Sequence, residues 1–383
     1  VHEAVGASFT DFAGWQMPVR YSSDLAEHHA VRAAAGLFDL SHMAEFRVSG
    51  RGAAAFLDLA LAGRLSAIEV GQAKYSLLLA DDGGIIDDLV VYRTADDEFL
   101  VVANASNREP VAAALEERVT LATAPSEASD PFGSSEPSDP SDPSDPFELA
   151  DVSDDTALIA VQGPASRSIL EVTAGLEVTG IDTLRYYRAI PASFEGTPVL
   201  LARTGYTGED GFELYLEPAR AEALWQAVAR AGEPLGLVPA GLASRDTLRL
   251  EAGMPLYGHE LGRHTQPAQA GLGRVPALGK PAFVGREALE RGPGADARVL
   301  VGLQGEGRRA ARAGYLVYAS DDSTAPIGEI TSGALSPTLG RPIAMAYVDP
   351  GFQEPDTPLS IDIRGTRLGY RTTTLPFYRR KKD

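Results

Sequence analysis

Two acidic residues stand side by side in an otherwise apolar run, Gly83-Gly84-Ile85-Ile86-Asp87-Asp88-Leu89-Val90-Val91-Tyr92. The two glycines close a turn, and the residues after them read as a buried strand. Successive side chains of a strand point to opposite faces, so Asp88, Val90 and Tyr92 share one face and Asp87, Leu89 and Val91 the other. Residues 75–80 form a second apolar run, which predicts a hairpin with residues 81–84 as its loop. With that loop length Tyr75 falls opposite Val90, on the face that carries Asp88. A carboxylate between aromatic rings on a core strand is costly unless something polar binds there. Spacing also admits a plainer arrangement, with one aspartate facing solvent and the other held by backbone donors.

Few other patterns carry chemistry by themselves. The chain has no Walker loop and no GxGxxG or GxSxG, which removes the commonest nucleotide-binding and hydrolase readings. Cysteine is absent, which excludes disulfides, thiolate metal sites and a cysteine nucleophile. The six histidines include His28-His29 on a predicted helix but show no HExxH-like spacing, so no metal is expected. The turn Gly205-Tyr206-Thr207-Gly208-Glu209-Asp210-Gly211 either brings backbone close to a ligand or simply closes a hairpin. Glu213 is central in an apolar strand and shares a face with Tyr215. Arg245 and Arg249, four apart, share a helix face, where a surface ion-pair ladder with Asp246 and Glu251 is the plainer arrangement.

These residues need a scaffold. A chain of 383 residues exceeds one ordinary core, so two or three domains are expected. No apolar run approaches a membrane span and no charged-then-apolar leader opens the chain, so the expected location is cytoplasmic. The first residue is Val rather than Met, which leads us to expect a short natural stretch ahead of it. Asn104-Ala105-Ser106 fits a glycosylation sequon and is read as a chance match. With 34 lysines and arginines against 53 aspartates and glutamates, the net charge is −19. That balance argues against non-specific nucleic-acid binding and requires local arginines for any anionic ligand.

Residues 9–21 read as an ordered loop or short strand. Ser23 can cap a helix to residue 35, with Asp24 and Glu27 in its first turn and Gly36 ending it. Residues 37–43 and 45–48 read as strands, 51–61 as a short helix, and 99–103 as a strand ending at Asn104 and Asn107. A helix follows from about Pro110 to Val119. Residues 125–146 contain Ser-Asp-Pro four times and almost nothing apolar, so burial cannot offset the entropy of ordering them. We read them as a disordered acidic insertion without a function of its own. Beyond it come a strand at 156–162 and a helix to about residue 172. Tyr186-Tyr187 is read as part of a strand, with further strands at 200–204 and 212–216. Helices follow at 220–231 and 240–252. From residue 298 short strands and turns predict a separate all-β domain.

Taken in order, several motifs resemble the aminomethyltransferase (T-protein) family of the glycine cleavage system. They are Asp11-Phe12-Ala13-Gly14-Trp15, Phe38-Asp39-Leu40-Ser41-His42-Met43, the run from Gly83 to Leu89, and Gln162-Gly163-Pro164. The run from Arg203 to Glu213, that from Ala243 to Glu251, Thr331-Ser332-Gly333 and Ser336-Pro337 complete the match, which is nearly end to end. The resemblance implies an α+β fold, a three-domain cloverleaf around a folate site, with two antiparallel-sheet α+β domains and a C-terminal jelly-roll-like β-barrel. Mapped here, a discontinuous folate-binding domain takes residues 1–45 and 155–275. The second domain takes 46–154, including the insertion at 125–146, and the barrel takes 276–383. The implied reaction moves an aminomethyl group from the lipoyl arm of the carrier H-protein to tetrahydrofolate, releasing ammonia and forming 5,10-methylenetetrahydrofolate. The family's key aspartate falls on Asp88. Its folate contacts fall on Met43, Tyr75, Val90, Tyr92, Asn104, Tyr187, Tyr206, Glu213, Arg245, Tyr257 and Tyr378. The alternatives are a one-carbon transferase within a sarcosine or dimethylglycine oxidising enzyme, whose flavin fingerprint is absent, and a non-enzymatic folate-binding protein of the same fold. The latter group carries a cysteine motif that this chain lacks. The insertion and residues 273–281 depart from the family pattern.

Overall fold

The apolar runs pair into sheets, as a computed structural model that describes residues 1–123 and 145–380 shows. Residues 125–144 of the Ser-Asp-Pro stretch lie outside the described residues. Among the described residues, one sheet has five antiparallel strands in the order Ala73–Leu79, Ile85–Ala95, Glu98–Ala103, Ala44–Ser49 and Glu148–Asp151. Alternation along these strands separates two faces. Phe46, Leu89, Val91, Phe99 and Val101 pack on the helices Ala53–Ala60 and Arg108–Ala122, while Val90, Tyr92 and Val102 look the other way. Each large apolar side chain buried like this contributes about 1.5–3 kcal/mol.

What Val90 and Tyr92 meet is a second sheet. Its seven strands run Leu176–Val178, Ala189–Phe194, Thr197–Ala202, Gly211–Leu216, Ala157–Gln162, Ala35–Asp39 and Leu237–Pro239. One face, with Ile159, Val161, Phe212 and Leu214, packs on the helices Ser166–Glu171 and Pro218–Gly232. The other gives Phe38, Leu158, Ala160 and Tyr215 to the core that already holds Tyr92 and Val102. The two sheets therefore share an interior. Backbone bonds stitch them, from Ala73 N–H to Tyr187 C=O (2.9 Å) and from Ala189 N–H to Gly71 C=O (2.8 Å).

Ser23 caps its helix by accepting from Ala26 N–H at 3.1 Å, but the helix is Asp24–Ala33 and Gly36 does not end it. Gly36 lies inside the strand Ala35–Asp39, where it pairs with Val238 on one side and Gln162 on the other. Partners more than a hundred residues away claim it, so a local C-cap signal loses.

The C-terminal strands close a six-stranded barrel, in the order Val299–Gly305, Pro342–Val348, Gly328–Leu335, Leu316–Tyr318, Pro358–Ile363 and Thr366–Thr373. It docks on the helix Leu242–Glu251, whose Leu250 packs against Ala334, Ile343 and Met345. That contact overturns the surface ion-pair ladder read from the sequence. Arg249 is 1% exposed and Glu251 0% exposed. Arg249 donates to Glu260 (3.0 Å) and Ser332 (2.8 Å), as well as to Asp246 (2.8 Å). Glu251 accepts from Arg32 Nη2 (2.8 Å), the Thr338 hydroxyl (2.7 Å), Thr338 N–H (3.0 Å) and the Ser336 hydroxyl, with His28 Nε2 3.2 Å away. Burial works against the Glu251 charge, but the contacts to His28 and Ser336 and the Arg32 charge outweigh it and lower its pKa to about 2. The stability this carboxylate contributes is complete above its ordinary pKa of 4.5 and is lost as pH falls toward 2. Glu251→Gln is expected to cost on the order of 3 kcal/mol at neutral pH in denaturant titrations, with the deficit shrinking below pH 4.

Candidate functional site

The hairpin sets the register of the acidic strand. Tyr75 pairs with Val90, as the loop length requires. The loop fits because residue 84 is glycine, since a Cβ there would lie 1.9 Å from the Arg263 carbonyl oxygen. Ile85 N–H then donates to the Gly262 (3.2 Å) and Thr265 (3.1 Å) carbonyls, which pins the strand's start against residues 262–265.

Neither aspartate behaves as the plainer arrangement required. Asp87 is fully buried and accepts from Asn104 N–H (2.9 Å), Asn104 Nδ2 (2.8 Å) and Asn107 Nδ2 (2.6 Å). Asp88 is half-buried on the other face and accepts from the Tyr75 hydroxyl (3.0 Å) and Asn104 Nδ2 (2.9 Å). One amide nitrogen thus serves both carboxylates. Burial, and next the Asp88 charge, push Asp87 up to about 7 against those three donors. Burial raises Asp88 as well. Burial and the Asp88 charge keep Tyr75 a neutral phenol, hence a donor. Two coupled carboxyls of this kind hold a proton more readily than an exposed pair does.

The second sheet supplies the opposite wall. Glu213, on Gly211–Leu216, accepts from the Thr204 hydroxyl and from Tyr92 OH at 3.3 Å, and Tyr215 OH donates to Tyr92 OH at 3.2 Å. Tyr92 therefore reaches across from the acidic strand to Glu213. The connection 205–211 packs on Gln162, whose Nε2 donates to Thr204 C=O (3.1 Å) and whose Oε1 accepts from the Thr207 hydroxyl (3.1 Å). A side chain at Gly211 would sit 2.4 Å from Gln162. Tyr206 OH donates to Pro255 C=O, and the Arg245 guanidinium lies 4.9 Å from the centre of the Tyr206 ring. Among the described residues no carboxylate pairs with Arg245 within 4 Å, although burial penalises its charge. Met43, Val90 and Tyr187 pack against the shared core, and Tyr257 OH donates to Ile85 C=O at 3.3 Å.

Tyr186 and Tyr187 are not in a strand. They form a turn just before Ala189–Phe194, and Tyr187 has a φ of 61°. That conformation costs a residue with a Cβ about 1–2 kcal/mol, and it persists because Tyr187 N–H is bound to Arg203 C=O (3.0 Å) and Tyr187 C=O to Ala73 N–H (2.9 Å). Alternation along the sequence cannot register two partners in different sheets.

Two profiles divide this architecture between them. One described as GCVT N-terminal domain matches residues 1–280, and one described as glycine cleavage T-protein C-terminal barrel domain matches residues 298–379. The chain belongs to the glycine cleavage aminomethyltransferase family. It is 53% identical over 386 aligned residues to an aminomethyltransferase of Cutibacterium acnes, covering 99% of this chain and 97% of that one. An aminomethyltransferase of Streptomyces avermitilis is 52% identical, covering 100% of this chain and 96% of its own. The crystal structure of glycine cleavage system aminomethyltransferase T from Bartonella henselae superposes with a TM-score of 0.84 at 34% identity, over 98% of this chain and 96% of that one. The protein is therefore an aminomethyltransferase of the glycine cleavage system, with the α+β fold and C-terminal barrel of the family.

Within this aminomethyltransferase Asp88, Tyr75 and Asn104 form one hydrogen-bonded group, and Tyr92, Thr204 and Glu213 form a second. Met43, Val90 and Tyr187 pack on the core that holds Tyr92, Arg245 lies against the Tyr206 ring, and Tyr257 reaches Ile85 at the start of the acidic strand. Tyr378 stands apart. Its ring lies 4.1 Å from the Arg32 guanidinium, which donates to Thr207 C=O (2.7 Å) and Glu209 (3.0 Å) on the glycine connection. Sequence reasoning missed Thr204, Asn107 as a ligand of Asp87, and the spending of the Asn104 amide on both aspartates. The one available signal was two asparagines three apart at a strand's end.

The two aspartates should separate cleanly by mutation. Asp88→Asn keeps the size but removes the proton acceptor, so steady-state turnover should fall roughly 10²–10⁴-fold with the protein still folded. Asp87→Asn leaves a donor unmet in a buried place, which should cost about 1–3 kcal/mol of stability while turnover stays within about tenfold. The opposite outcome, with Asp87→Asn inactive and Asp88→Asn active, would remove Asp88 from its role.

Proposed function

We propose that this aminomethyltransferase takes an aminomethyl group from the lipoyl arm of the carrier H-protein and passes its carbon to tetrahydrofolate. Ammonia leaves and 5,10-methylenetetrahydrofolate forms. The observation that carries this reading is Asp88, a half-buried carboxyl with a raised pKa, aimed by Tyr75 and Asn104 at an aromatic-walled interior between the two sheets. Those residues fit a bicyclic pterin. Tyr75, Tyr187, Tyr206 and Tyr257 give flat walls, Met43 and Val90 give apolar ones, and Glu213 can accept from an amino-pyrimidine edge. The spent Asn104 nitrogen leaves its carbonyl as the group able to meet the ligand. Arg245 offers positive charge that no neighbouring carboxylate within 4 Å cancels among the described residues.

The folate supplies the nucleophilic nitrogen N5. Asp88 orients that nitrogen and accepts its proton while the new carbon–nitrogen bond forms. Tyr75 and Asn104 fix the carboxyl's direction, and Asp87 holds Asn104 from behind. Tyr92 and Thr204 keep Glu213 in place for the pterin.

The test is ammonia release and methylene-folate formation from aminomethylated carrier plus tetrahydrofolate. Dependence of both products on both substrates is expected, and release of ammonia at the same rate without folate would count against the reading. Arg245→Ala should weaken folate binding by about 1–3 kcal/mol with little loss of stability, as read by titration and melting. Unchanged affinity would remove Arg245 from the folate's contacts.

A further inference from the structure

One buried cation joins the barrel's docking contact to a wall of the site. Arg32 stands in the last turn of the helix Asp24–Ala33, and its side chain is 7% exposed. The guanidinium faces two ways. Nη1 donates to Thr207 C=O (2.7 Å) and to Glu209 (3.0 Å), both on the glycine connection 205–211. Nε and Nη2 donate to Glu251 Oε2 (3.2 and 2.8 Å), and Nη2 reaches Leu248 C=O at 3.4 Å. On the barrel side, the Thr338 hydroxyl donates to that same Glu251 oxygen (2.7 Å) and accepts from Arg32 Nε (3.4 Å). The Tyr378 ring covers the guanidinium at 4.1 Å.

Thr207 and Glu209 are both buried, so neither that carbonyl nor that carboxylate can turn to water if Arg32 is lost. Tyr206 immediately precedes Thr207, with its hydroxyl on Pro255 C=O and its ring 4.9 Å from the Arg245 guanidinium. A displaced Thr207 carbonyl therefore moves the Tyr206 ring away from the cation it meets. The shape of the Arg32 group matters as much as its charge. A planar fork presents Nη1 to one set of acceptors and Nε with Nη2 to the other, whereas a lysine ammonium offers its donors from a single point.

We propose that Arg32 is a positioning residue for the folate, aiming Tyr206 from behind, and that through Glu251 and Thr338 it makes folate affinity depend on the seating of the barrel. This rests on the folate reading above and adds a residue that acts on the ligand only through Tyr206. Thr338 in the barrel and Tyr206 at the pterin are then coupled through one side chain. Perturbations of such a network are not additive, and removing the shared member removes the coupling.

The experiment titrates 5-formyltetrahydrofolate into the full chain and into Arg32→Lys, Thr338→Val, the two combined, and Val317→Ala, with transfer kinetics and melting for each. Val317 lies in the barrel's interior with Leu303 and Ile361, so its truncation loosens the barrel without touching Arg32. Arg32→Lys should weaken binding about tenfold and raise the folate KM to match, with kcat at saturating folate within about threefold of wild type. Thr338→Val should weaken binding about two- to fivefold alone, and by less than about 1.5-fold on top of Arg32→Lys. Val317→Ala should lower Tm and leave affinity within about twofold. Unchanged affinity in Arg32→Lys overturns the proposal, and so does a Thr338→Val effect that persists in full beside it. An equal loss of affinity in Val317→Ala also overturns it, because general loosening then accounts for the effect. Should Arg32→Lys not fold, Thr338→Val against Val317→Ala decides: weaker binding in the first alone supports the proposal, and equal binding ends it. Failure of the wild type to bind the ligand would instead sink the folate reading.

Discussion

Asn104 holds two carboxylates with one amide nitrogen, at 2.8 Å from Asp87 and 2.9 Å from Asp88. Adjacent acids on a buried strand repel each other and lose hydration, so without donors placed between them the strand could not be core at all. Asn104 N–H and Asn107 Nδ2 complete the shell on the Asp87 side, and Tyr75 does so on the Asp88 side. This is why the acidic strand must lie between Ala73–Leu79 and Glu98–Ala103, because one neighbour brings Tyr75 and the other ends at Asn104. The contact of Asp88 with Tyr75 on one face and the anchorage of Asp87 by Asn107 on the other come from a single alternation.

The opposite wall depends on a strained turn. Tyr187 is kept in a left-handed conformation by bonds to Arg203, just past the end of the strand Thr197–Ala202, and to Ala73 in the other sheet. The same bonds keep the sheets in register across the site, so the Tyr92–Glu213 contact between them is supported from behind. The barrel contributes at a distance. By burying Arg249 and Glu251 it ties down the C-terminal turn of the helix on which Arg245 meets Tyr206.

Much of the fold was legible in order along the chain. The Ser23 cap, the hairpin pairing of Tyr75 with Val90, and the change to short strands near residue 298 follow from periodicity, caps and turn residues, which are local. The misreadings share a cause. Gly36 looks like a helix end, Tyr186-Tyr187 looks like strand, and Arg249 and Glu251 look like surface ions, and each was reassigned by a partner far away in sequence.

The sequence by itself determined which face each aspartate takes, because side-chain alternation is a property of a strand whatever surrounds it. Its motifs also determined the family. Only the tertiary structure decided that Asn104 serves both acids, that Arg245 lies over Tyr206 with no carboxylate within 4 Å among the described residues, and that Glu251 is a buried anion in the barrel's docking contact. Hydrogen bonds and burial depend on atoms brought together across tens to hundreds of residues, and nothing in local spacing encodes which atoms those are.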